Sequence, residues 1–481
     1  MDTSGLQENR APNETNDTSD DYLERRQLKK GAAGWLLLTC LGVSYVISGD
    51  FAGWNFGLAQ GGFGGLAIAT ALMATMYTCM VFGLAELSAA IPTAGGGYGF
   101  ARRAMGPFGG FLTGSAIMLE YSIAPAAIVI FISGYLSELI GLSGPLVYVV
   151  FYVTFVGIHV WGAGEALKIM LGITAVAVAA LMVFIAATLP HFDASNLFDI
   201  PVNEAAFGAN AFLPEGWIGV WSAIPFAIWF FLALEGVPLA AEESKDPARD
   251  MPRGIINAML ILLVFAALVL VLAPGASSAN LMKDHAAPLV GALQYVHGED
   301  SGVASLVNVL GLAGLIASFF SIIFAYSRQV FALSRAGYLP RWLSLTGKRK
   351  TPAVALIVPG FIGLGLAFTG AGDLMINMAV FGATISYMLM MASHILLRVK
   401  HPDMPRPYRT PGGIVTTGFA LVLSITAFIG TFLVDTKAAL FTAAAYAIIV
   451  AYFVFYSRHH LVAKAPEEEF AAIVEAEGEL K

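Results

Sequence analysis

The stretch Leu36-Leu-Leu-Thr-Cys-Leu-Gly-Val-Ser-Tyr-Val-Ile-Ser-Gly-Asp50 decides the fold. Leu36 to Val46 is apolar and uncharged, and Ile47-Ser48-Gly49-Asp50 then sets a glycine and a carboxylate inside the same run. A helix needs roughly 20 apolar residues to cross the hydrocarbon core. Irregular backbone at that depth is tolerated only where it is buried in protein or lines a cavity. A second interruption, Phe231-Leu232-Ala233-Leu234-Glu235-Gly236, has the same character: an acidic residue beside a glycine at membrane depth.

Working outward, Ala67 to Ala85, Val147 to Val160, Ile169 to Leu189, Ile255 to Leu272 and Leu440 to Tyr456 are also nearly free of charge. Apolar residues make up 57% of the 481 residues and charged ones 12%; a soluble domain carries about twice that charge. Mean hydropathy is +0.74. So many apolar blocks cannot share one soluble core, and lipid must be the solvent. The pattern predicts an all-α integral membrane protein with spans at Ala33–Leu58, Gly64–Ala90, Phe108–Ile140, Leu146–Trp161, Leu167–Leu189, Trp217–Ala240, Gly254–Leu272, Val303–Ala332, Val354–Phe368, Leu374–Leu397, Gly413–Leu433 and Ala438–Phe455.

The basic residues orient these spans. With the N-terminus inside, all 26 Lys and Arg except Lys283 and Lys437 fall on the inner side, as the positive-inside rule requires. Losing one span would move the cluster Arg328 to Lys350, and everything after it, to the wrong side. The polar, acidic residues 1–32 read as a disordered cytoplasmic tail rather than a signal peptide. Residues 458–481 read as an acidic cytoplasmic tail. Cys40 and Cys79 both lie in apolar blocks, which argues against disulfides and a cysteine metal site. The interruptions fall in spans one and six, corresponding positions of two five-span halves. Paired interruptions of this kind point to a midplane substrate site.

Three blocks carry a family resemblance. Glu86-Leu-Ser-Ala-Ala-Ile-Pro92 is followed by Gly95-Gly-Gly-Tyr98, Ala101-Arg-Arg103 and Gly106-Pro107. Glu235-Gly236 is followed by Glu242-Glu243-Ser-Lys-Asp246-Pro247-Ala-Arg249-Asp-Met-Pro252-Arg253. Arg328 is followed by Ser334-Arg335-Ala-Gly337-Tyr-Leu-Pro340. In order and spacing these resemble the amino acid–polyamine–organocation (APC) superfamily of transporters, over roughly residues 33 to 410. The resemblance implies a LeuT-like fold of five plus five inverted spans with broken first and sixth spans and two extra C-terminal helices, about twelve in all. On that scheme 33–190 is the first repeat, 191–216 an extracytoplasmic loop, 217–397 the second repeat, and 398–457 the last two spans with their preceding loop. The run Ser48-Gly-Asp-Phe-Ala-Gly-Trp-Asn-Phe-Gly-Leu-Ala-Gln-Gly-Gly-Phe-Gly-Gly65 is most similar to the bacterial ethanolamine permeases. Secondary transport of ethanolamine or a similar small cationic amine into the cytoplasm, across a bacterial inner membrane and by alternating access, is therefore the expected function.

The resemblance also marks the site. Amino acid carriers of this fold hold the substrate carboxylate on amides of the first break, where helix ends carry partial positive charge. Their Gly-Ser-Gly there is Ile47-Ser48-Gly49 followed by Asp50 in this chain. An aspartate beside that cradle repels a carboxylate and attracts a cation. Asp50 has a second role open to it, as cap of the following half-helix. Glu120, near mid-membrane in the third span, is a second anion for the ammonium, a proton site, or a structural partner of another helix. Trp229 matches the gating aromatic of the arginine/agmatine antiporters and can offer a cation–π face or plain packing; Trp54 and Tyr121 are alternatives for the same box. Phe231 and Ala233 complete the expected substrate-binding set with Ser48 and Gly49. Glu235 belongs to coupling or to the break itself. Glu86, Arg102, Arg103, Glu243, Arg249 and Arg335 belong to cytoplasmic architecture.

For coupling, sodium needs oxygen ligands between spans one and eight. Ser318 and Ser321 lie on one helical face there, although serines also serve simply to pack helices. Some relatives use a lysine in the middle of span five, but Ile173 to Val183 holds no charge and Lys168 sits near the cytoplasmic end. Proton-linked uptake through Glu120, Glu235 or Asp50 is the expectation, with sodium less favoured and uniport open. The rivals are an amino acid or polyamine carrier of the same superfamily, a channel and a substrate sensor. No paired histidine ligands, nucleophile elbow or phosphate loop appears. The chain therefore reads as no enzyme, with no metal, cofactor or nucleic-acid partner.

Overall fold

The computed structural model describes residues 33–93, 95–161, 163–299, 301–346 and 351–461, with backbone alone for 163–169 and 242. The expected tail 1–32 and residues 462–481 lie outside the described residues. The helices, in chain order, are α1 (Trp35–Val46), α2 (Ser48–Phe51), α3 (Phe56–Ala90), α4 (Gly97–Ile140), α5 (Pro145–Trp161), α6 (Ala163–Thr188), α7 (Gly216–Trp229), α8 (Pro247–Ala276), α9 (Ala279–Met282), α10 (Pro288–His297), α11 (Gly302–Arg335), α12 (Ala353–Ala367), α13 (Gly372–Lys400), α14 (Ile414–Val434) and α15 (Thr436–Phe455). A 3-10 helix, Leu234–Glu243, continues α7 after a break. Among the described residues nine segments are long and apolar enough to cross a membrane, and Trp35–Phe51, Pro145–Trp161 and Ala353–Ala367 are shorter apolar helices. Together they follow the expected spans in order.

Two boundaries fall within a few residues of expectation, each inside one continuous helical run, and glycine makes both. Gly62 has φ 64 and ψ −176 inside α3, so Phe56–Gly61 finishes the first span and the chain turns sharply into the second. Gly106 has φ 76 and ψ −171 inside α4, so a short helix from Gly97 precedes the third span, which restarts at Pro107. Both conformations are open essentially to glycine alone.

Helices approach closely where side chains are absent. Gly57, Gly61 and Gly65 recur every four residues on α3, the small-residue spacing of membrane helix contacts. A methyl group on Gly61 would stand 2.5 Å from the Gly219 carbonyl oxygen of α7. On α13, a methyl group on Gly382 would stand 2.9 Å from the Ala116 carbonyl of α4. These contacts draw span one against span six and span three against span ten beside the two interruptions.

Ion pairs gather on the basic face. Arg328 of α11 donates from Nε and Nη2 to Glu243 Oε1 at 3.1 and 2.8 Å, and its guanidinium lies 4.3 Å from the centre of the Phe324 ring. Both charged side chains are 4% exposed, so the pair is isolated from water. Glu86, at the end of α3, receives Nε and Nη2 of Arg398 at 2.9 and 2.5 Å and the Thr410 amide at 2.7 Å, and forms an ion pair with Arg406, whose Nε lies 3.0 Å away. One carboxylate thereby joins spans two and ten to the loop before span eleven. At the same face the Ala33 amide donates to the Glu243 carbonyl at 2.9 Å and the Lys245 amide to the Ala33 carbonyl at 2.9 Å.

Removing one member of the Arg328–Glu243 pair leaves a buried charge alone, a loss of about 3–5 kcal/mol. We expect Glu243→Gln to lower the thermal midpoint of the purified protein markedly, and Arg328→Met in the same chain to restore part of it. A single variant as stable as the parent would show the pair to be hydrated.

Candidate substrate site

The first interruption begins at Ile47, where the sequence places it, and extends to Gly53, beyond the expected Asp50. Helical dihedrals run through Ile47 to Phe51, and the backbone leaves the helix at Ala52 (φ −160, ψ 161) and at Gly53 (φ 97). Asp50 therefore closes the first half-helix. It is no cap for the second: its carboxylate oxygens have no hydrogen-bond partner, and Asn55 precedes Phe56 without a side-chain cap bond. Side chains satisfy the freed groups instead. Tyr135 donates its hydroxyl to the Phe51 carbonyl at 2.8 Å, Trp229 its indole Nε1 to the Ala52 carbonyl at 2.9 Å, and the Gly53 amide bonds to Asn55 Oδ1 at 3.1 Å. Asn55 in turn donates to the carbonyls of Met282 and His285 at 2.9 and 3.0 Å.

The second interruption falls where expected. α7 stops at Trp229, and Ala233 has φ 75, the left-handed region that non-glycine residues seldom enter. Among the described residues it is the only non-glycine residue with positive φ. The 3-10 helix that follows is ten residues long, well beyond the three or four that such helices usually reach. The breaks meet at Gly49, where a methyl group would sit 2.4 Å from the Trp229 carbonyl oxygen.

Three carboxylates are sealed in this region. Asp50 and Glu120 are 0% exposed and Glu235 is 2% exposed. Glu120 and Glu235 are near neighbours whose charges act on each other. Tyr121 donates its hydroxyl to Glu235 Oε1 at 3.0 Å, and Tyr387, hydrogen-bonded to Tyr77 at 2.6 Å, acts on Glu235 electrostatically. Both Glu120 oxygens and Glu235 Oε2 lack a donor. Asp50 stands apart from this pair, on a half-helix that packs against α8 and α11. Among the described residues no ion pair from Lys, Arg or His reaches any of the three. Two neighbouring buried carboxylates cannot both keep a negative charge without a counter-ion. The pair calls for a proton or a cation.

The other expected residues divide by role. Trp229 is tied to the first break by its indole and meets Phe131 edge-on, 6.1 Å between ring centres. Phe231 packs on Tyr77 at 5.4 Å, and Trp54 stacks on Phe230 at 5.9 Å. Ser318 and Ser321 do reach span one: the Ser48 amide donates to Ser318 Oγ at 2.9 Å, and Ser321 is hydrogen-bonded to Ser44. Glu120 joins Glu235 rather than Asp50. Above the breaks, a cavity of about 380 Å³ is lined by Phe56, Phe131, Phe226, Gln60, Asp284 and Asp373, among others. Phe131 belongs both to this cavity and to the Trp229 contact.

A family model described as amino acid permease matches residues 34–455. The chain belongs to the amino acid permease family. This permease is 28% identical to an uncharacterized transporter of Rhizobium meliloti (strain 1021), over 82% of this chain and 85% of that protein. It is 27% identical to the branched-chain amino acid permease of Bacillus subtilis (strain 168), over 81% and 85%. It is 28% identical to the methylthioribose transporter of the same organism, over 78% and 82%. The chain is thus a multi-pass membrane transporter, not an enzyme.

Sequence reading missed two members of the permease's polar cluster, Tyr77 and Tyr387. Each is a hydroxyl in an otherwise apolar span, and each is at most 1% exposed. That signal was present in the sequence, but without the fold nothing says which tyrosines converge. Because Gly49 touches the Trp229 backbone, Gly49→Ala must push the breaks apart, at about 1–3 kcal/mol for an overpacked site. We expect a lower thermal midpoint and strongly reduced substrate uptake in proteoliposomes. Wild-type values for both would show that the breaks do not touch in the membrane.

Proposed function

We propose that this permease imports a small organic amine of the ethanolamine class, with the buried carboxylates as counter-charges and a proton on the Glu120–Glu235 pair as the coupling ion. The observation that carries this reading is Asp50, fully enclosed with neither oxygen hydrogen-bonded. An ammonium supplies the missing charge and donors together, whereas a substrate carboxylate near Asp50 would add repulsion. The Gly49 contact brings the amides of the first half-helix against the second break, so a ligand that parts or bridges the breaks meets both half-helices. The aromatic cavity with Asp284 and Asp373 at its wall suits the approach of a cation from the face opposite the basic one. On the scheme of the sequence, that is uptake into the cytoplasm, with both termini inside.

The Glu120–Glu235 pair supports proton linkage because one proton shared between neighbouring carboxyls removes their repulsion without a metal. A branched-chain amino acid permease among the relatives favours a second reading, in which the same scaffold carries an amino acid and Asp50 takes only its ammonium end.

Reconstituted protein separates these readings. We expect saturable uptake of labelled ethanolamine, stimulated by an inward proton gradient and not by a sodium gradient, and not displaced by excess leucine. Asp50→Asn should reduce uptake at least about tenfold, the least effect expected for losing a hydrogen bond to a charged group. Leucine uptake without ethanolamine uptake, or an Asp50→Asn protein as active as the parent, would overturn the assignment. Glu120→Gln should keep exchange of internal for external substrate but lose gradient-driven accumulation; accumulation at the parental level would remove the carboxyl pair from coupling.

A further inference from the structure

We infer that the Ser318 hydroxyl is a built-in replacement for one backbone hydrogen bond of span one, a latch that fixes the bend of the half-helix carrying Asp50 without a metal ion. In an unbroken helix the Ser48 amide would donate to the Ser44 carbonyl. Here the Ser48 amide donates to Ser318 Oγ at 2.9 Å, and the same hydroxyl donates to the Ser44 carbonyl at 2.8 Å. One side chain from α11 has entered the ladder and satisfied both groups that it separated. A side chain inserted in this way is a recognised cause of helix kinks. The gap falls between α1 and α2, at Ile47.

Neighbouring atoms hold the latch in register. Ser44 Oγ and Ser321 Oγ both lie within hydrogen-bonding distance of the Ala317 carbonyl, at 3.1 and 2.6 Å, and of each other, so two hydroxyl hydrogens serve three contacts. Ser44, Ser318 and Ser321 are all 0% exposed. On the facing side Phe51 fills the notch left by Gly311 and Gly314, where added methyl groups would come within 3.0 and 2.3 Å of its ring. Hydroxyls at this crossing of spans one and eight could instead be cation ligands. Ser318 Oγ, however, already accepts the Ser48 amide and donates to the Ser44 carbonyl, so the crossing satisfies its freed backbone groups without a cation. Ser318 is therefore a positioning residue, acting on Asp50 through the backbone two residues before it.

This inference is independent of the transported substrate, and its test is too. Hydrogen exchange of the peptide covering residues 41–52, in protein reconstituted in lipid, reads the latch directly. Ser318→Ala should speed exchange there about tenfold or more, as expected when a local backbone bond loses its partner, while leaving the tip of α15 unchanged. Ser318→Thr keeps the hydroxyl and should return exchange to the parental rate. Replacing potassium by sodium at constant ionic strength should alter neither exchange nor thermal midpoint. Equal exchange in the Ala variant and the parent would overturn the latch, as would equal exchange in the Ala and Thr variants. Sodium protection of the parent that is lost in Ser318→Ala would make the serines metal ligands instead.

Discussion

In hydrocarbon, every backbone amide and carbonyl that leaves a helix has to find a partner inside the protein, and spans one and six both leave the helix at the same depth. The first break gives up the carbonyls of Ser44, Phe51 and Ala52 and the amides of Ser48 and Gly53. Ser318, Tyr135, Trp229 and Asn55 take them up one by one. These partners come from spans three, six and eight and from the turn that follows the break. The irregular segment is therefore the place where the bundle is most cross-linked. A site built this way is stiff in its backbone and polar in its centre, which suits a ligand that must be recognised and then let go.

The carboxylates add the opposite property. A buried acid with no basic partner is an unfinished interaction, and the centre of the bundle holds Asp50, Glu120 and Glu235 in that condition. At the basic face the reverse holds, with Glu243 paired to Arg328 and Glu86 bound by Arg398 and the Thr410 amide. The molecule thus separates acids that hold structure together from acids whose charge is left for something mobile. The tyrosines around Glu235 soften this cost without cancelling it, because a hydroxyl offers a donor but no charge.

Much of the architecture was legible from local composition alone. Uncharged blocks mark the spans, and the basic residues order them; both signals survive without knowledge of any contact. The sixth break was also visible, since Glu235-Gly236 has no place in a lipid-facing helix. The first was placed at Ile47 to Asp50, where the helix ladder does open, but the chain keeps helical dihedrals to Phe51 and leaves the helix only at Ala52 and Gly53. The opening at Ile47 is filled by a hydroxyl 270 residues further along the chain. The tyrosine pair Tyr77–Tyr387 is 310 residues apart, and the Glu120–Glu235 pair likewise joins distant spans. Pairings of that range carry no local signature, so individual residues could be nominated from sequence but their company could not. Glu120 shows the limit: it was nominated as a second anion for the ammonium, a proton site or a partner of another helix, and the sequence could not say that its neighbour is Glu235.

The small parallel bridge between Ala33 and Ser244 has a mechanical side. Two amide–carbonyl bonds hook the start of the first half-helix onto the end of the second, far from the bends that let each of them pivot. Whatever swings one swings the other, like two oars lashed at the blade. Any opening on that face must either carry both as one lever or first undo the lashing, which makes this clip the natural place for the protein to set the effort of a stroke.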